Sequence, residues 1–463
     1  MRVCLVSHQY LPEQRAGAEI YTHRLAKSLI ERGHEVLVFS TKKDLARPEG
    51  QVLEQEFEGV RNLRVVRNLF YRDFRETFED PLPGRRFVEH VLTKFKPDVI
   101  HVHHLMHHSL ALPALAKAAG VPVLMTLHDY WLACPRFGQL LDHEGKICNT
   151  VDLHRCSACM TRFSWRNPSK LRHVARGLEI LRRTSGLDIQ KPLQDAYRSW
   201  QGKDKEQAQA VPDDALHAAL EARREVVHQH LIPAVDRFLC PSRFLKERME
   251  SLGFPSGKMR FHPLGVPPAV ACPGLAKGPV STKGPVSAEG RPLRVAYMGS
   301  VLPHKGVHLL LDAYEILGLH EVEIDMAIHG GSASNPTYGE EIRSRAQELG
   351  VRFTGSYLPE KIDSLLAGTD LCIVPSLWFE NRPITILDAR VRHIPCLVSD
   401  LGGMAELVPD PRLRFAVGDA EAMAHRLTEL ARSGVANLDI GDLPPNPDQD
   451  LEKTLQEYAS ICR

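Results

Sequence analysis

The sequence lacks long hydrophobic runs and a large net charge. No stretch approaches about 18 uninterrupted apolar residues, so no segment is expected to span a membrane. The apolar run Val3–Val6 is too short for the core of a secretory signal. We therefore expect a cytoplasmic protein whose ten cysteines are thiols or metal ligands and not disulfides. The net charge of +1 argues against wholesale nucleic-acid binding, although it leaves room for a local basic patch.

Two ligand-binding motifs are also missing. The loop from His8 to Gly17 follows a predicted strand but contains no G-x-G-x-x-G pattern, which disfavours a nicotinamide or flavin dinucleotide site. No Asp-x-Asp motif is evident near the loops of the second half that we interpret below as ligand-binding. A catalytic divalent ion is therefore not expected to be required.

The length of 463 residues predicts two domains. Apolar strand patterns alternate with helical patterns in both halves, which is typical of α/β domains with parallel sheets. The segment KGPVS at 277–281 recurs at 283–287, and such a Gly/Pro-rich repeat is typical of a linker. We assign 1–265 to an N-terminal domain, 266–291 to a linker, 292–445 to a C-terminal domain and 446–463 to a C-terminal helix.

The carboxyl ends of parallel strands are where such domains bind ligands. In the first half we expect two residues there: Gly17, at the start of a predicted helix, and His128, directly after the predicted strand Val121–Leu127. A glycine required only by the turn is the alternative for Gly17. Five histidines between His101 and His108 suggest a metal site, but we prefer turn residues that act as hydrogen-bond donors.

A cysteine-rich segment follows His128. Its members are candidate ligands of a structural zinc ion: Cys134, Cys148, Cys156 and Cys159. The last two form a C-x-x-C pair, but thirteen residues separate the first two, where a zinc ribbon would have two to four. Redox or disulfide use and unpaired thiols are the alternatives, and His154 is a substitute ligand.

The segment 162–183 is strongly basic. It carries a single acid, Glu179, and an apolar stripe at helical spacing, made of Leu171, Val174, Leu178 and Leu181. A helix that faces the core with a solvated charged side is the preferred interpretation. The alternative is peripheral contact with an anionic membrane surface. A polar insertion at about 188–214 follows it.

The most informative stretch of the second half is Pro375–Ala389. Pro383 favours a helix that begins near Arg382, which leaves Glu380 in the preceding loop and Asp388 in the second helical turn. Carboxylates accept hydrogen bonds from sugar hydroxyls, and Lys305, in an earlier loop, is well placed to neutralise a phosphate. The combination favours a nucleotide-sugar. A solvated Glu and a helix-surface Asp are the alternative.

Six segments together resemble the GT-B glycosyltransferases of the retaining family 4: AGAE at 16–19, RGHEV at 32–36, TLHDYWLACPR at 126–136, PHKGVHLLLDA from 303, PS…E…P…ILDA from 375 and SDLGGMAELV from 399. The resemblance implies two Rossmann-like, doubly wound parallel-sheet domains that face an interdomain cleft. The C-terminal helix would cross back onto the first domain. A nucleotide-sugar donor would bind mainly the second domain, and a glycan or lipid-linked acceptor the first.

The resemblance also implies roles for particular residues. His128 and Glu380 would be catalytic, and the donor would be bound by Gly17, Gly299, Ser300, Lys305, Gly331 and Asp388. Two positions depart from the family pattern, because Ser300 stands where an Arg is usual and Asp388 where a Glu is common. No cofactor would be required for a transfer that retains the anomeric configuration. A catalytically silent nucleotide- or carbohydrate-binding protein, and a GT-B-like epimerase or phosphorylase, are the rival functions.

Overall fold

The computed structural model of the chain describes residues 1–163, 165, 172–186, 211–269, 291–318 and 322–462. They form two compact units. Unit 1 comprises Met1–Cys240, Arg248–His262 and Leu451–Arg463, and unit 2 comprises Pro241–Glu247 and Pro263–Asp450. Most of the predicted linker and of the predicted polar insertion lies outside the described residues. Among the described helices, none is long and apolar enough to cross a membrane.

Unit 1 is built on an eight-stranded sheet. Its strands are β1 (Arg2–Val6), β2 (Glu35–Lys42), β3 (Val52–Phe57), β4 (Val60–Val66), β5 (Val99–Val102), β6 (Val123–Thr126), β7 (Arg237–Cys240) and β8 (Met259–Phe261). Their order across the sheet is β3-β4-β2-β1-β5-β6-β7-β8. The central strands β1, β5 and β6 are almost wholly buried, which explains their continuous apolar runs.

The β3–β4 hairpin is an addition to the predicted parallel sheet. These two strands pair antiparallel, whereas the other pairs described in this sheet are parallel. We did not predict β3 because it is a partly exposed edge strand with the sequence VLEQEF, which has no buried apolar run.

The helices of unit 1 cover this sheet. They are α1 (Gly17–Glu31), α2 (Glu76–Glu79), α3 (Pro81–Phe87), α4 (Leu112–Ala118), α5 (Leu153–Thr161), α6 (Arg172–Ser185), α7 (Asp214–Val226) and α8 (Ile232–Ala234). Two π-helical stretches, Val88–Phe95 and Val227–Leu231, continue α3 and α7, and a 3-10 turn spans Ser256–Lys258. Helix α9 (Arg243–Ser251) has residues in both units.

Unit 2 contains a six-stranded parallel sheet. Its strands are β9 (Leu293–Met298), β10 (Ile324–His329), β11 (Arg352–Gly355), β12 (Leu371–Val374), β13 (Cys396–Ser399) and β14 (Arg414–Phe415). The order β11-β10-β9-β12-β13-β14 is the 3-2-1-4-5-6 arrangement of a dinucleotide-binding fold. The predicted doubly wound α/β fold is confirmed for this half.

The remaining helices belong mainly to unit 2. They are α10 (Val307–Gly318), α11 (Pro336–Glu348), α12 (Ile362–Leu366), α13 (Ile384–Arg390), α14 (Gly402–Leu407), α15 (Ala420–Ser433) and α16 (Pro447–Ile461). Three 3-10 turns lie at Pro303–Lys305, Pro359–Lys361 and Pro411–Leu413. Side chains from α10, α13 and α15, among them Leu310, Leu387 and Leu427, join the buried core around β9 and β12.

The division into units differs from the predicted domains within the first 265 residues. Pro241–Glu247 packs in unit 2, where the Phe244 ring lies 5.2 Å from the ring of Phe379. The end of the C-terminal helix packs in unit 1, the domain onto which we expect it to cross, and its Tyr458 hydroxyl is 2.8 Å from His101 Nδ1. Such groupings arise from contacts between distant parts of the chain, which local sequence patterns do not specify.

Candidate active site

The order of strands in unit 2 singles out one edge of the sheet. Strand β9 neighbours both β10 and β12, so the chain direction across the sheet reverses there. Ligands of such sheets bind outside the carboxyl ends of the strands at this reversal. The loops that follow β9 and β12 begin at Gly299 and Pro375, and they contain the two predicted residues Lys305 and Glu380.

Glu380 is the centre of a polar cluster in these loops. Three donors reach the same carboxylate oxygen, Oε1: Lys305 Nζ at 2.6 Å, Ser376 Oγ at 2.8 Å and Trp378 Nε1 at 2.8 Å. The carboxylate is 10% exposed and the lysine 24% exposed. Burial would raise the pKa of Glu380, but the charge of Lys305 and these hydrogen bonds hold the pKa below its ordinary value. The carboxylate is therefore ionised at neutral pH.

Close backbone packing fixes the loops that carry Lys305 and Glu380. Leu377 N donates to His304 O at 2.8 Å, which ties one loop to the other. Gly306 has a φ of 71°, and a β-carbon there would overlap with the carbonyl oxygen of Pro375. Only glycine allows both the left-handed conformation and this approach.

The predicted donor-binding residues Gly299, Ser300 and Gly331 also lie at this edge. Gly299 N donates to His329 O at 3.0 Å, and the Ser300 carbonyl accepts the Tyr297 hydroxyl at 2.7 Å. Gly331 O accepts from Val301 N at 2.9 Å, which joins the loops after β9 and β10. The loops therefore have little room to change shape, and Ser300 itself is exposed.

Asp388 is the fifth residue of α13, which begins at Ile384, two residues later than predicted. Its Oδ1 lies 3.8 Å from Arg392 Nη1, and its side chain is 15% exposed. Burial, followed by the charge of Asp388, raises the pKa of Tyr357 to about 12. Asp388 therefore lies near Tyr357 and Arg392. Its side chain, one methylene shorter than the Glu common at this position, is mostly buried.

In unit 1 the predicted histidine lies at the corresponding edge. His128 follows β6, and its Nε2 is 3.1 Å from His103 Nδ1, in the segment after β5. The ring of Tyr21, on α1, is 5.6 Å from the His128 ring. Gly17 is the first residue of α1 and is exposed. Strands β5 and β6 are neighbours, which explains how residues 25 positions apart meet.

Two imidazole–carboxylate pairs also lie at this edge and were not predicted. His8 Nε2 is 3.1 Å from Glu19 Oε1, and His104 Nε2 is 3.1 Å from Asp129 Oδ2. The rings of His8 and His104 are 4.6 Å apart. Burial lowers the pKa of His8 and raises that of Glu19. Three of the histidines after β5, His103, His104 and His108, thus take part in hydrogen bonds, in agreement with the preferred interpretation.

The cysteine-rich segment is partly buried. Cys134 and Cys159 are buried, and Cys148 and Cys156 are half-buried. Burial, with the neighbouring thiols of the other three, raises the pKa of Cys156 to about 12. Across the part of the chain that the structure describes, no three His, Cys, Asp or Glu side chains are grouped so that they could hold a metal ion. The structural zinc stays a prediction, and metal analysis of the purified protein tests it.

Helix α6 corrects the preferred interpretation of the basic segment. Of the predicted stripe, Val174 and Leu181 are 57% and 40% exposed, Leu178 is half-buried and Leu171 lies outside the described residues. The single acid, Glu179, is buried instead. Arg182 and Arg183 donate to Glu179, which lowers its pKa to about 2, and Arg183 also reaches Asp44 Oδ1 at 2.8 Å. The arginine–carboxylate contacts hold the helix, so the apolar stripe does not face the core of the described residues.

Trp378 and Ser376 are the site residues that sequence reasoning missed. Both stand within the stretch PSLWFE, close to Glu380, but neither residue type by itself indicates a ligand contact. A weak signal was present, because a tryptophan in a predicted loop is unusual and its N–H needs a partner when it is buried.

Comparison with known proteins places this fold in a class. The sequence profile of Glycosyltransferase Family 4 matches residues 15–153, and that of Glycosyl transferases group 1 matches residues 292–433. The chain therefore belongs to the glycosyltransferases with these two domains, which have the GT-B fold. The predicted family is confirmed.

Individual relatives agree with this class. The α-maltose-1-phosphate synthase of Mycolicibacterium smegmatis is 31% identical over 160 residues, which are 32% of this chain and 40% of the relative. A sucrose-phosphate synthase from Thermosynechococcus elongatus has a TM-score of 0.60 at 16% identity, with 99% of this chain and 98% of that chain covered. Anabaena HepE in complex with UDP and glucose has a TM-score of 0.59 at 14% identity, with 99% of both chains covered. The chain thus aligns with about two fifths of the curated relative, and the solved structures share its fold.

Proposed function

We propose that the protein transfers a glycosyl unit from a nucleotide-diphosphate sugar to a hydroxyl of a glycan or lipid-linked acceptor, with retention of the anomeric configuration. The observation that carries the proposal is the Lys305–Glu380 pair, 2.6 Å apart, at the switch point of a 3-2-1-4-5-6 sheet. A cation and an ionised carboxylate side by side match a ligand that has both a diphosphate and hydroxyl groups.

Lys305 would act on the leaving group. When the bond between the anomeric carbon and the diphosphate breaks, negative charge builds on the phosphate oxygens. A fixed ammonium group interacts more strongly with that charge in the transition state than in the ground state, which lowers the barrier. Helix α10 begins two residues after Lys305, and the positive end of its dipole would add to the stabilisation.

Glu380 would hold the donor sugar. Its Oε1 already accepts three hydrogen bonds, so Oε2 is the oxygen left for sugar hydroxyls. Asp388 would contact the ribose. The UDP and glucose in the similar HepE structure support a nucleotide-sugar as the donor class. The proposed role of His128, in unit 1, is to contact the reacting sugar.

Nucleotide binding and transfer test this function. A thermal-shift panel of UDP, GDP, ADP and their glucose derivatives should give one class that raises the melting temperature. Lys305→Met should lower the transfer rate at least about a hundredfold, the scale of losing one transition-state contact. The control is Lys361→Met, which removes an exposed lysine of the same unit. A protein that binds nucleotides but gives no turnover with any donor would be the silent binding protein instead.

We also propose that α6 contacts an anionic membrane surface, which would bring a lipid-linked acceptor to the protein. The helix carries four arginines and one acid, and that acid is buried. Its exposed Val174, Ile180 and Leu181 supply the apolar contact.

A further inference from the structure

Two hydrogen bonds join Trp378 and Glu380. The two residues form a tight turn in which Glu380 N donates to Trp378 O at 2.8 Å. The indole Nε1 then donates to Glu380 Oε1, also at 2.8 Å. The turn and the side-chain hydrogen bond together fix the indole of Trp378 relative to the carboxylate of Glu380.

The same indole contacts the other member of the ion pair. Lys305 Nζ lies 4.9 Å from the centroid of the Trp378 ring, within the range of a cation–π interaction. The His304 ring packs against the indole edge-on at 5.2 Å. One half-buried aromatic side chain thus supports both Lys305 and Glu380.

We propose that Trp378, together with Ser376, is a positioning residue that presents Glu380 Oε2 to the donor sugar. This inference rests on the proposed glycosyl transfer. Trp378, Ser376 and Lys305 donate to Oε1 from three different side chains. Rotation of the carboxylate would break two or three of these bonds, and hydrogen bonds to a charged group are stronger than those between neutral groups. The carboxylate is therefore fixed before the sugar arrives.

One substitution distinguishes the function of the indole N–H from that of the aromatic ring. Trp378→Phe keeps an aromatic face beside Lys305 but removes the donor to Oε1. Because that donor helps to hold the pKa of Glu380 down, its loss should raise the pKa. Transfer needs the ionised carboxylate, so the acidic limb of the pH–rate profile should move to higher pH. We expect the donor KM to rise by up to about tenfold, with the largest effect at the acidic end of the profile.

A spectroscopic measurement tests the contact without any assay of activity. The chain has four tryptophans, and the indole signal absent from Trp378→Phe identifies Trp378 in a nitrogen-15 spectrum. In the wild type this signal should shift as Glu380 is protonated, and in Glu380→Gln it should not shift over the same pH range. An indole signal at the same position in the wild type and in Glu380→Gln at neutral pH would overturn the proposal.

Controls separate this inference from the proposed function. Trp165→Phe removes an indole of unit 1 that packs on Phe74, and it should leave the pH–rate profile unchanged. Ser376→Thr keeps a hydroxyl donor and should retain more activity than Ser376→Ala. If the indole titrates with Glu380 but no nucleotide-sugar binds or reacts, the proposed function fails and the fixed carboxylate stands. If transfer occurs and Trp378→Phe has the wild-type profile, the positioning role is wrong.

Discussion

The Cα of Gly306 lies so close to the carbonyl oxygen of Pro375 that a β-carbon on residue 306 would overlap with that oxygen. Gly306 follows Lys305, and Pro375 opens the loop of Glu380. The separation between the cation and the carboxylate is therefore set by a backbone contact as well as by their own ion pair.

Gly306→Ala should destabilise unit 2 and remove nucleotide binding. The matched control is Gly350→Ala, because Gly350 has nearly the same φ, 72°, with open space around its Cα. The control should lose about 1–2 kcal/mol, the cost of a left-handed non-glycine residue. We expect Gly306→Ala to lose clearly more, measured as the free energy of unfolding in urea. Equal losses of unfolding free energy in the two variants would show that the loop at Pro375 moves aside at little cost.

Glu380→Gln should flatten the acid dependence of stability. The pKa of Glu380 is lowered in the folded protein, so the ionised carboxylate stabilises the fold above its unfolded pKa. That contribution is lost as the pH falls through the folded pKa. Melting temperatures between pH 7 and pH 3 should therefore decrease more steeply for the wild type than for the variant. A wild type and variant with parallel curves would contradict the predicted ionisation.

Arg223 should be essential to the loop that contains TLHDYWLACPR. Its buried guanidinium donates to Trp131 O at 2.5 Å and to Leu132 O at 3.0 Å, and it lies 4.7 Å from the Trp131 ring. Arg223→Met leaves both carbonyls unpaired, which should cost about 3 kcal/mol or more of unfolding free energy. The exposed neighbour Arg224 provides the control, since Arg224→Met should cost less than about 0.5 kcal/mol. Similar losses in the two variants would contradict the role of Arg223.

The apolar face of α6 should be needed for membrane contact. We expect the protein to bind vesicles that contain phosphatidylglycerol, to bind phosphatidylcholine vesicles weakly and to lose affinity at high salt. Val174→Gln with Leu181→Gln should reduce sedimentation with the anionic vesicles about tenfold. Val211→Gln removes another exposed apolar residue, 62% exposed and outside α6, and should have no effect. Unchanged binding of the double variant would reject this surface.

Local sequence patterns were sufficient for most of the fold. Parallel strands buried on both faces, such as β1 and β12, have continuous apolar runs, and the loops after them are rich in glycine and polar residues. The hairpin β3–β4 was missed because the edge strand β3 is partly exposed and lacks such a run, and Arg61, Asn62 and Arg64 interrupt the run of β4. The orientation of α6 was wrong because helical periodicity identifies an apolar stripe without saying what it faces.

The sequence by itself determined the α/β class, the family and the presence of Lys305 and Glu380 in loops at strand ends, because these depend on residue type, spacing and motif order. Only the tertiary structure decided that Lys305, Ser376 and Trp378 all meet one oxygen of Glu380. Lys305 and Glu380 are 75 positions apart in the chain. They meet because β9 and β12 lie side by side in the sheet, and the adjacency of strands is set by long-range packing that no local pattern encodes.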